Sequence, residues 1–245
     1  MRGHVLQNHQ SLKNEARSQP IPMNIPHLFH TLTTHHPHNF QTQAIARILN
    51  HQDTLTGSPV ATSHQTHPTH QLTILRAPTG SGKTETAIAP FLFAKTFDID
   101  FPNKLIYVVP LRTLANSLRQ RVEMLVTNWE KLYPPSRELV VTLQTGENPE
   151  DPRFEGDIIF CTIDQLLSSF LNIPYSVGRG SANVNAGTVF ASYLVFDELH
   201  LLDPERSFTT VLKVLQQVKG ISPCLLMTAT LTDELATQIQ KIIEE

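Results

Sequence analysis

The sequence has little cysteine and no long hydrophobic run. Its two cysteines, Cys161 and Cys224, each lie in an apolar stretch typical of a buried strand, which argues against a disulfide scaffold or a zinc site and predicts reduced core thiols. No apolar run reaches the roughly 18 residues that a membrane-spanning helix needs, and the polar first 19 residues lack the apolar segment of a signal peptide. We therefore expect a soluble, cytoplasmic protein with no membrane contact.

An excess of basic charge is also missing. The chain has 19 lysines and arginines against 22 aspartates and glutamates, a formal net charge of −3, which argues against a protein that coats nucleic acid by bulk electrostatics. Any path for nucleic acid must therefore be local. The 245 residues, 40% of them hydrophobic, are enough for one sizeable domain, although length alone would also permit two.

Two polar segments predict irregular structure. Residues 1–26 are polar and contain three closely spaced prolines, so we expect an irregular leader ahead of a domain that covers 27–245. Residues 51–71 are rich in threonine, histidine and proline without periodicity, which indicates a surface loop inserted into that domain. Eleven of the 12 histidines precede residue 71. His-rich tracts can bind nickel or zinc opportunistically, but these lie beside no cysteine or carboxylate cluster, which favours a solvated loop.

The stretch from Leu72 to Thr84 is a short apolar run followed by a glycine-bearing loop. Such a loop points its backbone N–H groups inward around an oxyanion, places a lysine at the β- and γ-phosphates and supplies a hydroxyl for magnesium. A helix predicted over 83–97 directs its N-terminus at the same phosphates. The pattern predicts ATP and Mg²⁺ as cofactors. The candidate ATP-binding residues are Thr79, Gly80, Ser81, Gly82, Lys83 and Thr84, with Thr84 also a magnesium ligand.

A second candidate for the nucleotide lies ahead of the loop. Residues 40–49 carry apolar side chains at helical spacing. Gln41, at the start of this predicted helix, has one amide donor group and one acceptor that can recognise the adenine edge. A plain surface glutamine is the alternative.

After the phosphate loop, apolar strands alternate with helical stretches. The predicted strands cover 104–109, 139–143, 157–161, 192–197 and 224–228, and the predicted helices cover 112–133, 164–171, 207–219 and 232–243. Near-continuous apolar strands that alternate with helices predict a three-layer α/β domain with a mainly parallel sheet. In such folds ligands bind at the carboxyl ends of the strands.

Two carboxylates follow the strand at 192–197. We expect Asp197 to hold magnesium and Glu198 to orient and deprotonate the water that attacks the γ-phosphate, because an apolar strand is a costly place for two acids unless a charge awaits them. His200, Thr228 and Thr230 are candidates for coupling this acidic motif to the nucleotide state. A simple helix cap is the alternative for the two threonines.

Three further strand ends offer groups typical of contacts with a nucleic-acid backbone. Hydroxyls and helix N-termini bind phosphates without reading the base sequence. A capped helix is the alternative at each position. The candidate residues are Arg112 and Thr113, Thr145 and Gly146, and Thr162.

In this order, these motifs resemble the first RecA-like domain of superfamily 2 helicases. Ala77 stands where the general phosphate loop has its first glycine, and the sequence from Ala77 to Thr84 is the one usual in nucleic-acid-dependent ATPases. The stretches 178–187 and 192–203 resemble the CRISPR-associated helicases of type I systems. That resemblance implies a RecA-like P-loop NTPase fold and an ATP-driven helicase that moves 3′ to 5′ on single-stranded DNA in antiviral defence, recruited by a CRISPR surveillance complex.

The same resemblance implies further partners. The sequence has no His-Asp dipeptide, so we expect a separate nuclease subunit. Superfamily 2 enzymes close ATP between two RecA-like domains, and the second is absent from this sequence; its arginine finger is worth about 10³ to 10⁵ in rate. The chain alone is expected to bind ATP but hydrolyse it poorly. Two alternatives stay open: another superfamily 2 translocase, acting on RNA or in DNA repair, and a non-hydrolysing ATP-binding interaction module.

Overall fold

The computed structural model describes residues 23–49, 72–173, 182–202 and 207–230, together with residues 233, 236, 237, 239 and 241; the side chains of Ala182 and His200 lie outside the described part. Its strands are β1 (Leu72–Arg76), β2 (Lys104–Val109), β3 (Val141–Gln144), β4 (Ile158–Thr162), β5 (Ser192–Phe196) and β6 (Cys224–Thr228). Its helices are α1 (Ile25–Thr33), α2 (Asn39–Ile48), α3 (Lys83–Thr96), α4 (Arg112–Leu132), α5 (Ile163–Phe170), α6 (Ala182–Phe190) and α7 (Thr209–Val218), with a 3₁₀ helix at Leu199–Leu201.

The described strands form one parallel sheet in the order β1-β6-β5-β2-β4-β3. Successive side chains of a strand point to opposite faces, and β2 shows this directly. Leu105, Tyr107 and Val109 join the apolar core under α1 to α4, whereas Ile106 and Val108 join the core under α5 to α7. Both faces of the sheet are therefore covered, and the predicted three-layer α/β fold with a parallel sheet is confirmed.

Helix α1 lies at a boundary that sequence patterns did not resolve. The side chain of Asn24 caps it by accepting a hydrogen bond from the backbone N–H of His27 at 3.0 Å, and Pro26 lies in the first turn, where its missing N–H costs nothing. Ile25, Leu28, Phe29 and Leu32 are buried. Helix α1 thus begins inside the segment that composition assigned to the leader, because four residues at helical spacing bury an apolar stripe.

Helix α6 was also not predicted as an element. Sequence analysis used residues 178–187 as a family signature, whereas Ala182 to Phe190 form a helix that leads into β5. Strand β3 begins at Val141, two residues later than expected. The predicted insertion at 51–71, residues 1–22 of the leader and most of the predicted helix at 232–243 lie outside the described residues. Among the helices described, none is long and apolar enough to cross a membrane.

Candidate nucleotide-binding site

The sheet order brings the candidate nucleotide residues to one edge. The glycine loop follows β1, Thr228 ends β6 and Asp197 follows β5, and these three strands are neighbours. The carboxyl ends of parallel strands meet at the same edge of a sheet, so residues more than 100 positions apart in the chain lie together there.

The loop between β1 and α3 has the backbone that a phosphate cradle needs. Gly80 and Gly82 have φ angles of +80° and +79°, which side-chain-bearing residues rarely adopt. The Ser81 hydroxyl donates a hydrogen bond to the Pro78 carbonyl at 2.7 Å, and the Ala77 N–H donates to the carbonyl of Thr228 at 3.2 Å. The loop is therefore closed on itself and tied to β6. Thr79 lies exposed at its tip.

Lys83, the first residue of α3, is buried in this loop. Its ammonium group donates to the carbonyls of Ala77 at 3.0 Å and Pro78 at 3.3 Å, and lies 3.7 Å from Oε1 of Glu198. The positive charge thus lies between the mouth of the loop and the acidic motif. A phosphate held by the loop would meet a cation already in place.

The acidic pair is held by the backbone on both sides. The Asp197 N–H donates to the Val108 carbonyl of β2 at 2.9 Å, which extends the sheet by one residue, and the Glu198 N–H donates to Oδ1 of Asp197 at 2.9 Å. Glu198 has φ +49°, an uncommon conformation for a residue with a side chain. This strained turn lies where the Glu198 carboxylate comes within 3.7 Å of the Lys83 ammonium group.

Tyr107 is a site residue that sequence analysis missed. It lies inside the apolar strand β2, fully buried, and its hydroxyl donates to Oδ2 of Asp197 at 2.7 Å. Burial, followed by the negative charge of Asp197, raises the pKa of Tyr107 well above its usual value, so the phenol keeps its proton. The signal that the sequence offers for this residue is a tyrosine, whose hydroxyl can form hydrogen bonds, at the third position before Pro110.

The residues present fit a magnesium ion. Thr84 and Asp197 offer a hydroxyl and a carboxylate, oxygen donors of the kind Mg²⁺ prefers, and both are more than 90% buried. Burial raises the pKa of Asp197, with hydrogen bonds from Tyr107 and Glu198 opposing it, so a nearby cation would offset the cost of its buried charge. The described residues contain no cluster of three or more acidic, histidine or cysteine ligands. This suits an ion that takes one or two protein ligands and completes its shell with phosphate and water.

Gln41 lies beside the loop, but its amide is engaged there. Its Nε2 is 3.2 Å from the Ser81 carbonyl, 3.3 Å from the Gly82 carbonyl and 3.1 Å from Oγ1 of Thr86, while its Oε1 accepts from the His38 N–H at 2.8 Å. The approach is so close that a Cβ on Gly82 would lie 2.7 Å from Nε2. The role of Gln41 toward adenine stays a prediction, and in this conformation the side chain braces the phosphate loop.

The candidate nucleic-acid residues lie on the other half of the same edge, after β2, β4 and β3. Arg112 and Thr113 are exposed at the start of α4, and a Cβ on Gly146 would lie 3.3 Å from Nη2 of Arg112. Arg112 forms an ion pair with Glu147. Thr145 and Thr162 are buried, and the Thr145 hydroxyl accepts from the Asn148 N–H at 3.1 Å. The structure therefore presents Arg112, Thr113 and Gly146 at the surface, whereas Thr145 shapes the turn beneath them.

The candidate coupling residues follow β5 and β6. The Thr228 carbonyl accepts from the Ala77 N–H, which links the end of β6 to the start of the phosphate loop. Its hydroxyl accepts from the Thr230 N–H at 3.3 Å. His200 belongs to the 3₁₀ helix, and its side chain lies outside the described part. The coupling roles stay predictions.

A glycine loop that opens a buried helix, with an acidic pair two strands away on the same edge of a parallel sheet, defines a RecA-like P-loop domain. The family model for DEAD/DEAH box helicases matches residues 38–238. The chain therefore belongs to the DEAD/DEAH box helicase family, as its resemblance to the first RecA-like domain of superfamily 2 helicases predicted.

Curated relatives refine the comparison. The chain is 29% identical over 202 residues to the CRISPR-associated endonuclease/helicase Cas3 of Escherichia coli K12, covering 71% of this chain and 21% of that protein. It is 33% identical over 141 residues to the CRISPR-associated helicase Cas3 of Thermoproteus tenax, covering 54% of this chain and 24% of that protein. The chain thus spans less than a quarter of the length of these two relatives. The predicted resemblance to CRISPR-associated helicases is confirmed.

A solved structure shows the same fold. The crystal structure of T. fusca Cas3 with ATP has a TM-score of 0.62 at 18% sequence identity, over 97% of this chain and 26% of that one. At this identity the likeness establishes the fold, and the roles of individual residues rest on the geometry described above.

Proposed function

We propose that the chain is the ATP-binding half of an ATP-dependent DNA helicase that acts in CRISPR antiviral defence. The observation that carries the proposal is the convergence of the phosphate loop and the acidic motif, with Lys83 lying 3.7 Å from Glu198 in a site framed by β1, β6 and β5. The relationship to two Cas3 proteins supports CRISPR defence as the setting. The alternative of a generic translocase shares the site and differs in its nucleic acid.

Each residue of the site has a part in ATP hydrolysis under this proposal. The loop N–H groups and Lys83 bind the β- and γ-phosphates, since a buried ammonium group at a helix N-terminus favours anions. Thr84 and Asp197 hold Mg²⁺, which supplies positive charge to the phosphate oxygens. Glu198 orients the attacking water and accepts its proton. Lys83, Asp197 and Glu198 are thus the proposed catalytic residues.

The proposal assigns the exposed groups after β2 and β3 to single-stranded DNA. Arg112, Thr113 and Gly146 would contact the phosphate backbone, with Thr145 and Thr162 supporting them from beneath. A second RecA-like domain, on another segment or subunit, would form the opposite wall of the ATP cleft and supply an arginine finger. A CRISPR surveillance complex and a separate nuclease subunit are the further proposed partners.

Binding of a fluorescent ATP analogue tests the nucleotide site. We expect Lys83→Ala to abolish binding, because it removes the cation that faces the phosphates. Lys131→Ala removes an exposed lysine at the end of α4 and is the matched control, for which affinity should not change. Unchanged affinity in the Lys83 variant would refute the site assignment.

Hydrolysis tests the rest of the proposal. Single-turnover ATP hydrolysis is measured with the second RecA-like domain added in trans, in the absence of nucleic acid and with single-stranded DNA or RNA. Stimulation by DNA supports the proposal, and stimulation by RNA alone identifies an RNA translocase. If the added domain restores no hydrolysis, the chain is a binding module that uses ATP as a structural ligand.

A further inference from the structure

Among the polar groups of the buried core, the hydroxyl of Tyr107 contacts a residue assigned to magnesium. It donates a hydrogen bond to Oδ2 of Asp197 at 2.7 Å. This buried hydroxyl thus ties β2 to the carboxylate that follows the neighbouring strand β5, two segments that are far apart in sequence.

The ring of Tyr107 holds that hydroxyl in a fixed place. It is completely buried, lies beside Val195 of β5 and Phe160 of β4 in the sheet register, and packs on the Phe160 ring with centroids 4.9 Å apart. A tyrosine packed on neighbouring strands has little freedom to move its oxygen. Asp197 also has its other carboxylate oxygen bound, by the Glu198 N–H at 2.9 Å, so both oxygens are oriented from below.

We propose that Tyr107 is a positioning residue that pre-orients the Asp197 carboxylate toward a magnesium ion. This inference rests on the proposed ATP site and adds to it a residue that does not touch nucleotide or metal. Without the hydroxyl, the carboxylate loses a charge-assisted hydrogen bond and is free to turn within a buried environment. The cost falls on metal binding, while Lys83 and the loop N–H groups still bind the phosphates.

Tyr107→Phe removes only the hydroxyl and keeps the ring on Phe160. The matched control is Tyr193→Phe, since Tyr193 is a fully buried tyrosine on the adjacent strand β5 whose hydroxyl has no hydrogen-bond partner among the described residues. Removal of an unpaired buried hydroxyl should be neutral or mildly stabilising. The pair of variants separates loss of this hydrogen bond from loss of a buried tyrosine in general.

The test measures metal dependence, with the full chain, by binding of a fluorescent ATP analogue in EDTA and at increasing Mg²⁺, and by the spectrum of bound Mn²⁺ with a non-hydrolysable nucleotide. We expect the Tyr107 variant to bind nucleotide normally in EDTA and to need on the order of tenfold more metal for half-saturation, as loss of one hydrogen bond to a charged group implies. The Tyr193 variant should match the wild type in both conditions.

The outcomes separate this inference from the proposed function. If the wild-type chain shows no metal-dependent nucleotide binding, the proposed ATP site fails. If the wild type does and the Tyr107 variant has the same metal dependence, the positioning role is refuted. A Tyr107 variant that does not fold, or that loses affinity equally in EDTA and in Mg²⁺, would identify a purely structural residue and also overturn the inference.

Discussion

Replacing Gln41 by alanine would test whether this side chain stabilises the fold in the absence of nucleotide. Its amide group has two N–H hydrogens, directed at the carbonyls of Ser81 and Gly82 and at the Thr86 hydroxyl, and its carbonyl accepts from the His38 N–H. A residue that serves only to recognise adenine would have no such contacts before ATP binds. Gln41 is 3% exposed, so few water molecules could replace the lost partners.

The magnitude follows from counting donors and acceptors. Two donated hydrogens and one accepted hydrogen bond, at about 0.5–1.5 kcal/mol each, give a loss of about 1.5–4.5 kcal/mol in the free energy of unfolding. For a domain of this size, that corresponds to a decrease of roughly 3–18 °C in melting temperature. The phosphate loop would also lose its support, so affinity for ATP should fall even where adenine recognition plays no part.

Thermal unfolding in EDTA without nucleotide measures the first effect. Gln43→Ala is the control, because Gln43 is exposed on the same helix α2 and its replacement changes helix propensity equally. If Gln41→Ala melts at the same temperature as the control and loses only its preference for ATP over GTP, the bracing role is refuted and the adenine role is favoured.

Two further predictions concern a buried carboxylate and an exposed one. Burial alone would raise the pKa of Asp157, but two hydrogen bonds from Arg137, at 2.7 and 2.6 Å, and one from the Val140 N–H lower this pKa overall. Asp157→Asn should therefore lower the free energy of unfolding by about 2 kcal/mol near neutral pH. Because the folded pKa is depressed, this difference should shrink below about pH 4, and urea denaturation that shows it constant with pH would contradict the assignment. Glu147→Gln should free Arg112 and strengthen binding to single-stranded DNA by roughly two- to fivefold at low salt, with the gain lost at high salt. The control is Glu138→Gln, which makes the same charge change ahead of β3, at the end of the sheet away from Arg112. It should leave the affinity for single-stranded DNA unchanged in a fluorescence anisotropy titration. An equal gain in affinity for this control would attribute the effect to net charge.

Local patterns determined much of this protein. The spacing of Gly80, Gly82, Lys83 and Thr84 specifies a loop and a helix start within a few residues of one another, so its geometry depends little on the rest of the chain. The apolar strands between helices also indicated the parallel sheet, because a strand buried on both faces must be apolar along its whole length. Helix α1 was missed although its buried residues have helical spacing, since nearby prolines and histidines dominated the composition.

Contacts between distant segments were decided by the tertiary structure alone. In the sequence, Tyr107 cannot be told from the other core residues of β2. The strand order places β2 beside β5, and this brings the Tyr107 hydroxyl to Asp197. The closure of Gln41 onto the phosphate loop and the burial of Thr145 and Thr162 likewise follow from packing, which no short motif encodes. The sequence by itself was sufficient to identify the phosphate loop and the acidic pair and to predict that both follow strands. Only the folded sheet, by setting which strands are neighbours, decided which side chains support them and which face outward.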